Sequence, residues 1–219
     1  MDAQPTLTSA GALAAAGFVD DVDALGAVAA RYAIAVPPAL HHPIRTTGTD
    51  GPLARQFIPS REELQSAPGE RSDPIGDQAH APVPGIVHRY PDRVLLLPTH
   101  ACAVYCRFCF RREVVGPEGG TLSPAELDAA VAYIARTPAV FEVILTGGDP
   151  LVLSPRRLAD IVTRLDAIAH VQVIRVHTRV PVAAPERVTD DLVAALKRTS
   201  KAVYVGVHCN HASELTPAA

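Results

Sequence analysis

The chain has 219 residues, with 20 Lys+Arg against 23 Asp+Glu and a hydrophobic fraction of 48%. Wholesale disorder and a disulfide-stapled miniprotein are excluded by that length and composition. The near-neutral charge advertises no nucleic-acid partner, and no apolar run reaches the ~18 residues of a membrane candidate. Lys197 and Lys201 are the only lysines, so the first 196 positions offer no reactive lysine.

Met1 to Thr8 carries no basic flank, so the alanine-rich stretch Ala10 to Phe18 reads as a helix rather than a signal core. Thr8 or Ser9 caps it and Gly17 stops it. Asp20 and Asp21 open a second helix, with Val22, Leu25, Val28, Ala29 and Tyr32 on one face. Pro37 and Pro38 prevent its continuation. From Val36 to Pro98 there are eleven prolines in 63 residues, and only Arg61 to Gln65 looks helical there. Ile44, Phe57, Ile58, Ile75, Val83, Ile86 and Val87 want burial, so residues 1–85 are expected to form a helical and extended arm packed on the body.

After Tyr90 the rhythm is regular. Apolar runs at Val94–Leu97, Phe141–Leu145, Val171–Val176 and Ala202–Val207 alternate with helical patterns at Pro124–Arg136, Pro155–Ile168 and Thr189–Thr199. Ser123, Ser154 and Thr189 are N-cap candidates, and Pro124 and Pro155 suit the first helical position. Strands recurring about every 30 residues are the mark of βαβ units. Unalternating apolar runs imply strands covered on both faces. The expected architecture for residues 86–219 is α/β with parallel strands, an open sheet or part of a β/α barrel. In either, chemistry sits at the C-terminal strand ends.

Each strand end carries polar residues. The first is followed by His100, then Cys102-x3-Cys106-x2-Cys109, then Phe110-Arg111-Arg112. Three thiolates on one loop can hold three irons of a four-iron cluster and leave the fourth open to a ligand. The same spacing also admits a zinc site completed by His100 or a distant residue, or three reduced core cysteines. Ligand spacing rather than staple spacing points to the reducing cytoplasm. Gly147-Gly148-Asp149-Pro150 follows the second strand; the glycines permit close approach by a ligand, or form an ordinary turn. His177-Thr178-Arg179 follows the third and His208-Cys209-Asn210-His211 the fourth, each weak alone. Cys209 reads as a small buried residue.

The combination resembles the lysine 2,3-aminomutase family of the radical S-adenosylmethionine (SAM) superfamily. The resemblance rests on the cysteine motif, His88-Arg89-Tyr90-Pro91-Asp92-Arg93-Val94, Phe110-Arg111-Arg112, Gly147-Gly148-Asp149-Pro150, Gln56-Phe57-Ile58-Pro59-Ser60 and His208-x-Asn210-His211. It covers residues 50–219 closely and the first 50 loosely. It implies a radical SAM barrel, a [4Fe–4S] cluster, SAM and pyridoxal 5′-phosphate (PLP). It also implies a 5′-deoxyadenosyl radical that moves the amino group of lysine from C2 to C3. The cofactors carry that chemistry while the protein orients them. On the resemblance, Cys102, Cys106 and Cys109 are the cluster ligands. Gly147, Gly148, Asp149 and His208 match SAM positions, Arg89, Tyr90 and Arg93 lie near the PLP phosphate, and Arg111 grips the substrate carboxylate, a task suited to a fork-shaped cation. An electron donor such as flavodoxin or ferredoxin and a homo-oligomeric full-length form are implied too.

The match has a gap. The family's PLP-anchoring lysine and the acidic residues for the substrate's distant amino group have no counterpart in this sequence. Four barrel strands stand where the superfamily core has six, so the expectation is a C-terminally truncated member, poorly soluble or oligomeric. Alternatives are glutamate or arginine mutases, a lysine mutase serving elongation factor P, another radical SAM reaction without PLP, and a non-catalytic iron–sulfur or zinc module.

Overall fold

A computed structural model describes residues 4–219, Pro117 by its backbone alone. Five strands form one sheet in chain order: β1 (Ile86–Tyr90), β2 (Arg93–Thr99), β3 (Glu142–Gly147), β4 (Val173–Thr178) and β5 (Ala202–Val207). β2 to β5 are parallel, as the 30-residue rhythm implies. β1, which the apolar-run reading did not separate, returns antiparallel through the Pro91-Asp92 turn. The sheet is open, with β1 and β5 as its edges. This is α/β architecture consistent with part of a β/α barrel.

The crossover helices are α5 (Pro124–Ala135), α6 (Pro155–Asp166) and α8 (Asp190–Leu196). Ser123, Ser154 and Thr189 cap them, each side-chain oxygen accepting from a backbone N–H of the first turn. Pro124 and Pro155 occupy the first helical position, where the missing N–H is not needed. These helices cover one face of the sheet. Val94, Leu96, Val143, Leu145, Ile174 and Val176 point into them and join Leu127, Ile134, Leu158 and Ile161 in the main core.

The other face departs from the expected double coverage. The register aligns Arg93 with Glu142, and Leu95 with Ile144, Arg175 and Tyr204. Side chains alternate along a strand, so Arg93, Glu142, Arg175, His177 and Tyr204 share the helix-free face. The alternation was masked because Ile144 and Leu95 sit among those polar positions. At the β5 edge Tyr204 is 54% exposed and Val207 46%.

The N-terminal region is more helical than its prolines suggested. α1 (Ala10–Ala15) and α2 (Val22–Arg31) form as expected, capped by Ser9 and Asp21. Leu25, Val28 and Tyr32 are buried, whereas Val22 faces solvent. α3 (Pro38–Thr47) and α4 (Pro52–Phe57) replace the anticipated extended chain. Pro38 and Pro52 begin these helices rather than break them, each within the first two positions. Leu13, Phe18, Leu40, Ile44, Leu53 and Phe57 build a second core that also takes in Val104 of the cysteine loop and Ala183. Ala183 belongs to α7 (Val180–Ala183), a single turn after β4. Ile44, Phe57, Ile58, Ile86 and Val87 are buried as expected; Ile75 is not. No helix among the described residues is long and apolar enough to cross a membrane.

Candidate functional site

The C-terminal ends of β2 to β5 form one mouth, and their loops are tied to each other. Gly148 N–H donates to the carbonyl of Thr99 and Asp149 N–H to that of Ala101 (2.8 Å each). Gly147 has φ +103°, a conformation that favours glycine. A side chain at Gly148 would lie 2.3 Å from the Ala101 carbonyl oxygen. The Gly-Gly pair therefore lets two loops dock backbone to backbone. This is a packing reason, distinct from the ligand approach read in the sequence.

Asp149 is buried and its carboxylate is fully engaged. One oxygen accepts from Thr178 Oγ1 (2.7 Å) and Leu151 N–H (3.0 Å), the other from Arg179 N–H (2.7 Å). Burial pushes its carboxyl above the usual range, against those hydrogen bonds. It clamps the β3 and β4 ends together, so any ligand at 147–149 meets backbone first.

Cys102, Cys106 and Cys109 are free thiols, partly exposed at this mouth. Burial pushes all three up, and at Cys102 the charge of Asp149 and of the other two cysteines adds to it. Arg179 opposes the rise at Cys106, donating from Nη1 to its sulfur (3.2 Å). At Cys109 the Arg111 N–H and charge do the same. Three half-buried thiols that repel one another as thiolates are stabilised by iron's positive charge. Among the described residues no group of three His, Cys, Asp or Glu is gathered tightly enough for a single metal ion. A zinc ion would need sulfurs within bonding reach of one centre at about 2.3 Å. Three cysteines on one loop, electrostatically coupled at Cys102, are a donor set that suits a cluster with one open iron.

The fourth strand end joins the same mouth. His208 N–H donates to Thr178 O (2.8 Å), and the His208 ring packs edge-on to Phe108 at 5.9 Å. Its Nε2 lies 2.7 Å from Asn210 Oδ1. Cys209 is only half-buried and donates weakly to His211 O. His100 and His177 also line this end. Burial lowers both, helped by Arg111 at His100 and by Arg175 at His177.

The arginines assigned to PLP and substrate divide into two groups. Arg111 donates from Nε and Nη2 to Asp77 Oδ2 (3.0 and 2.8 Å), and Arg89 reaches Asp77 Oδ1 at 3.4 Å and the Ile75 carbonyl. One carboxylate thus brings the two together. Arg93 sits at the start of β2, opposite Tyr90 across the hairpin, and is paired with Asp92 and Glu142 instead. Tyr90, beside it, is exposed. Lys201 lies at the start of β5 with Nζ on the Ile168 and Val171 carbonyls, and Lys197 ends α8. Neither reaches the mouth, so the residues present do not complete a PLP imine site.

Sequence reasoning missed the carboxylates that organise these cations. Glu63 receives Arg107 (2.6 Å) and Arg112 (2.5 Å). Buried Glu214 receives Arg179 (2.6 Å), and Gln56 completes that group. Partners 158 residues apart leave no local pattern; only Asp77, four residues after Asp73 in a turn-rich stretch, carried a local signal, its N–H capped by the Asp73 carboxylate.

Residues 96–215 match the model of the radical SAM superfamily. The chain is 41% identical over 183 residues to an L-lysine 2,3-aminomutase of Acetoanaerobium sticklandii, covering 84% of this chain and 44% of that protein. It is 39% identical over 183 residues to one of Clostridium subterminale, covering 84% and 44%. For one of Escherichia coli K12 the figures are 37% over 184 residues, 84% and 53%. The chain thus spans about half the length of these curated relatives. The thiol loop at the strand ends, the loops docked on it and the matched 120-residue span agree: the chain belongs to the radical SAM superfamily of enzymes.

Proposed function

We propose that this chain carries the cluster- and SAM-binding half of an amino-acid 2,3-aminomutase, with lysine as substrate. The carrying observation is the trio Cys102, Cys106 and Cys109 at the mouth, with Gly147–Asp149 docked on its backbone and Arg179 donating to Cys106. In this reading the three thiolates hold a [4Fe–4S] cluster and leave one iron for the amino and carboxylate groups of SAM. The backbone of 147–149 and His208 hold SAM. When bound, the cluster supplies the electron that cleaves SAM and starts the radical reaction, taking it from a flavodoxin- or ferredoxin-like donor.

The protein's own contribution is placement. The Gly148 and Asp149 N–H groups tie the 147–149 loop to the cysteine loop, and the Asp149 carboxylate ties it to the β4 end, so the three move as one. Arg111 is a bidentate donor on the substrate side. In this structure that donor pair is taken by Asp77, so the substrate carboxylate exchanges with Asp77. PLP belongs to the proposal through the relatives alone, and no step is derived through it.

The test is anaerobic loading with iron and sulfide, then SAM and dithionite, measuring methionine and 5′-deoxyadenosine. The reading expects stoichiometric reductive cleavage. A loaded protein that leaves SAM intact overturns it. Isotope-labelled lysine, glutamate and arginine, supplied with PLP, then separate the substrate classes by which one accelerates SAM consumption.

A further inference from the structure

Arg179 is buried, 5% exposed, at the junction of three distant segments. Its backbone N–H is held by Asp149. Its guanidinium lies over the Phe57 ring at 4.7 Å and near Phe108 at 5.7 Å. Nη2 donates to Gln56 Oε1 (2.5 Å) on α4 and to Glu214 Oε2 (2.6 Å) beyond β5. Nη1 donates to Cys106 Sγ at 3.2 Å, and Nε has no partner. Glu214 is fully buried, and its other oxygen accepts from the N–H groups of Asn210 and His211 (3.0 Å each) and from Gln56 Nε2 (3.3 Å).

This is a costly arrangement for a merely structural purpose. Two charges have been taken out of water, and an apolar pair of similar volume commonly serves stability as well or better. A lone arginine beside three thiolates would have been enough to offset charge. Here the positive charge is matched by Glu214, while one N–H is left directed at a single sulfur. Hydrogen bonds to cluster sulfurs, net charge and solvent exposure are what set iron–sulfur potentials.

We propose that the Arg179–Glu214–Gln56 group sets the reduction potential of the cluster held at Cys106. Arg179 acts as a hydrogen-bond donor to the ligand sulfur, and Glu214 cancels its charge so that the cluster stays strongly reducing. The proposal rests on the cluster reading above. The step concerned is the uptake of one electron by the oxidised cluster from an external one-electron reductant, with no bond made or broken in the protein. Arg179 and Glu214 are positioning residues here, since neither is a cluster ligand. Gln56 keeps the guanidinium in place from α4, which makes the N-terminal helices part of the redox machinery.

The test is a dithionite titration of the loaded chain, followed by electron spin resonance, with iron content measured alongside. Arg179→Met leaves Glu214 uncompensated and lowers the potential. Glu214→Gln leaves Arg179 uncompensated and raises it. Each single change moves the reduction equilibrium at least tenfold, which for one electron is 59 mV. The double variant Arg179→Met/Glu214→Gln restores neutrality without the hydrogen bond, and lies between Arg179→Met and the parent. Loss of packing would not produce opposite signs or that recovery. If Arg179→Met fails to load, Glu214→Gln and Arg179→Lys carry the test, the first rising and the second staying within threefold of the parent. Shifts of the same sign, or under threefold in loaded Glu214→Gln, overturn the proposal while leaving the cluster reading intact. A parent that takes up no iron overturns both.

Discussion

The two faces of the sheet follow different rules. On the helix-packed face, Val94, Leu96, Val143, Leu145, Ile174 and Val176 are all within 1% of full burial. On the helix-free face the same strands carry Arg93, Glu142, Arg175, His177 and Tyr204. Glu142 is buried there between Arg93 and Arg175, at 3.4 and 2.6 Å. A face that only had to pack would not hold a carboxylate between two guanidinium groups. Stability is concentrated on one side of these strands, and polar chemistry on the other and at the mouth above it.

That division can be broken most sharply at the mouth. Cys106→Ala is expected to reduce bound iron and SAM cleavage by more than a hundredfold while shifting stability by about 1 kcal/mol or less, since Cys106 is only half-buried at the rim of the N-terminal core. Iron analysis beside a urea melt checks it; a variant that keeps its iron breaks the division. On the packed face Leu145→Ala should do the reverse. It empties a fully buried site and costs about 2–5 kcal/mol, yet the protein that remains folded loads iron normally. Tyr204→Ala on the open face should cost under about 1 kcal/mol, because the ring is already half exposed. Equal losses at Leu145 and Tyr204 would mean that both faces pack alike.

A smaller effect separates the faces by pH. Burial holds His41, His100 and His177 below 6.5 in the folded chain. The unfolded chain takes up those protons first, so stability is fully present above about 6.5 and is lost as pH falls through the lowered values. The melting temperature of the metal-free protein should therefore decline from pH 7.5 to 5.5. His177→Gln, on the open face, should reduce that slope modestly; a slope unchanged by this variant, by His100→Gln and by His41→Gln would show that the histidines do not cause it.

The packed face was the legible one. Apolar-rich runs located β2 to β5, and Ser-Pro pairs located α5 and α6, because both signals are local. The open face was not, because Glu142 and Arg175 sit inside runs that are mostly apolar. The N-terminal prolines misled for a related reason: Pro38 and Pro52 read as breakers until their place at helix starts is seen. At the mouth, spacing put the three cysteines on one loop after β2, where the structure has them. Arg179 was visible only as one residue after a strand, since its partners Gln56 and Glu214 lie 123 residues before and 35 after it.

The proposed role of Cys102, Cys106 and Cys109 is to hold a four-iron cluster with one iron open to SAM. Anaerobic reconstitution followed by electron spin resonance of the reduced protein tests it directly. The expected result is a brown protein with about four irons per chain and a spectrum that changes when SAM is added. A colourless protein holding one zinc, or an iron signal indifferent to SAM, would contradict it.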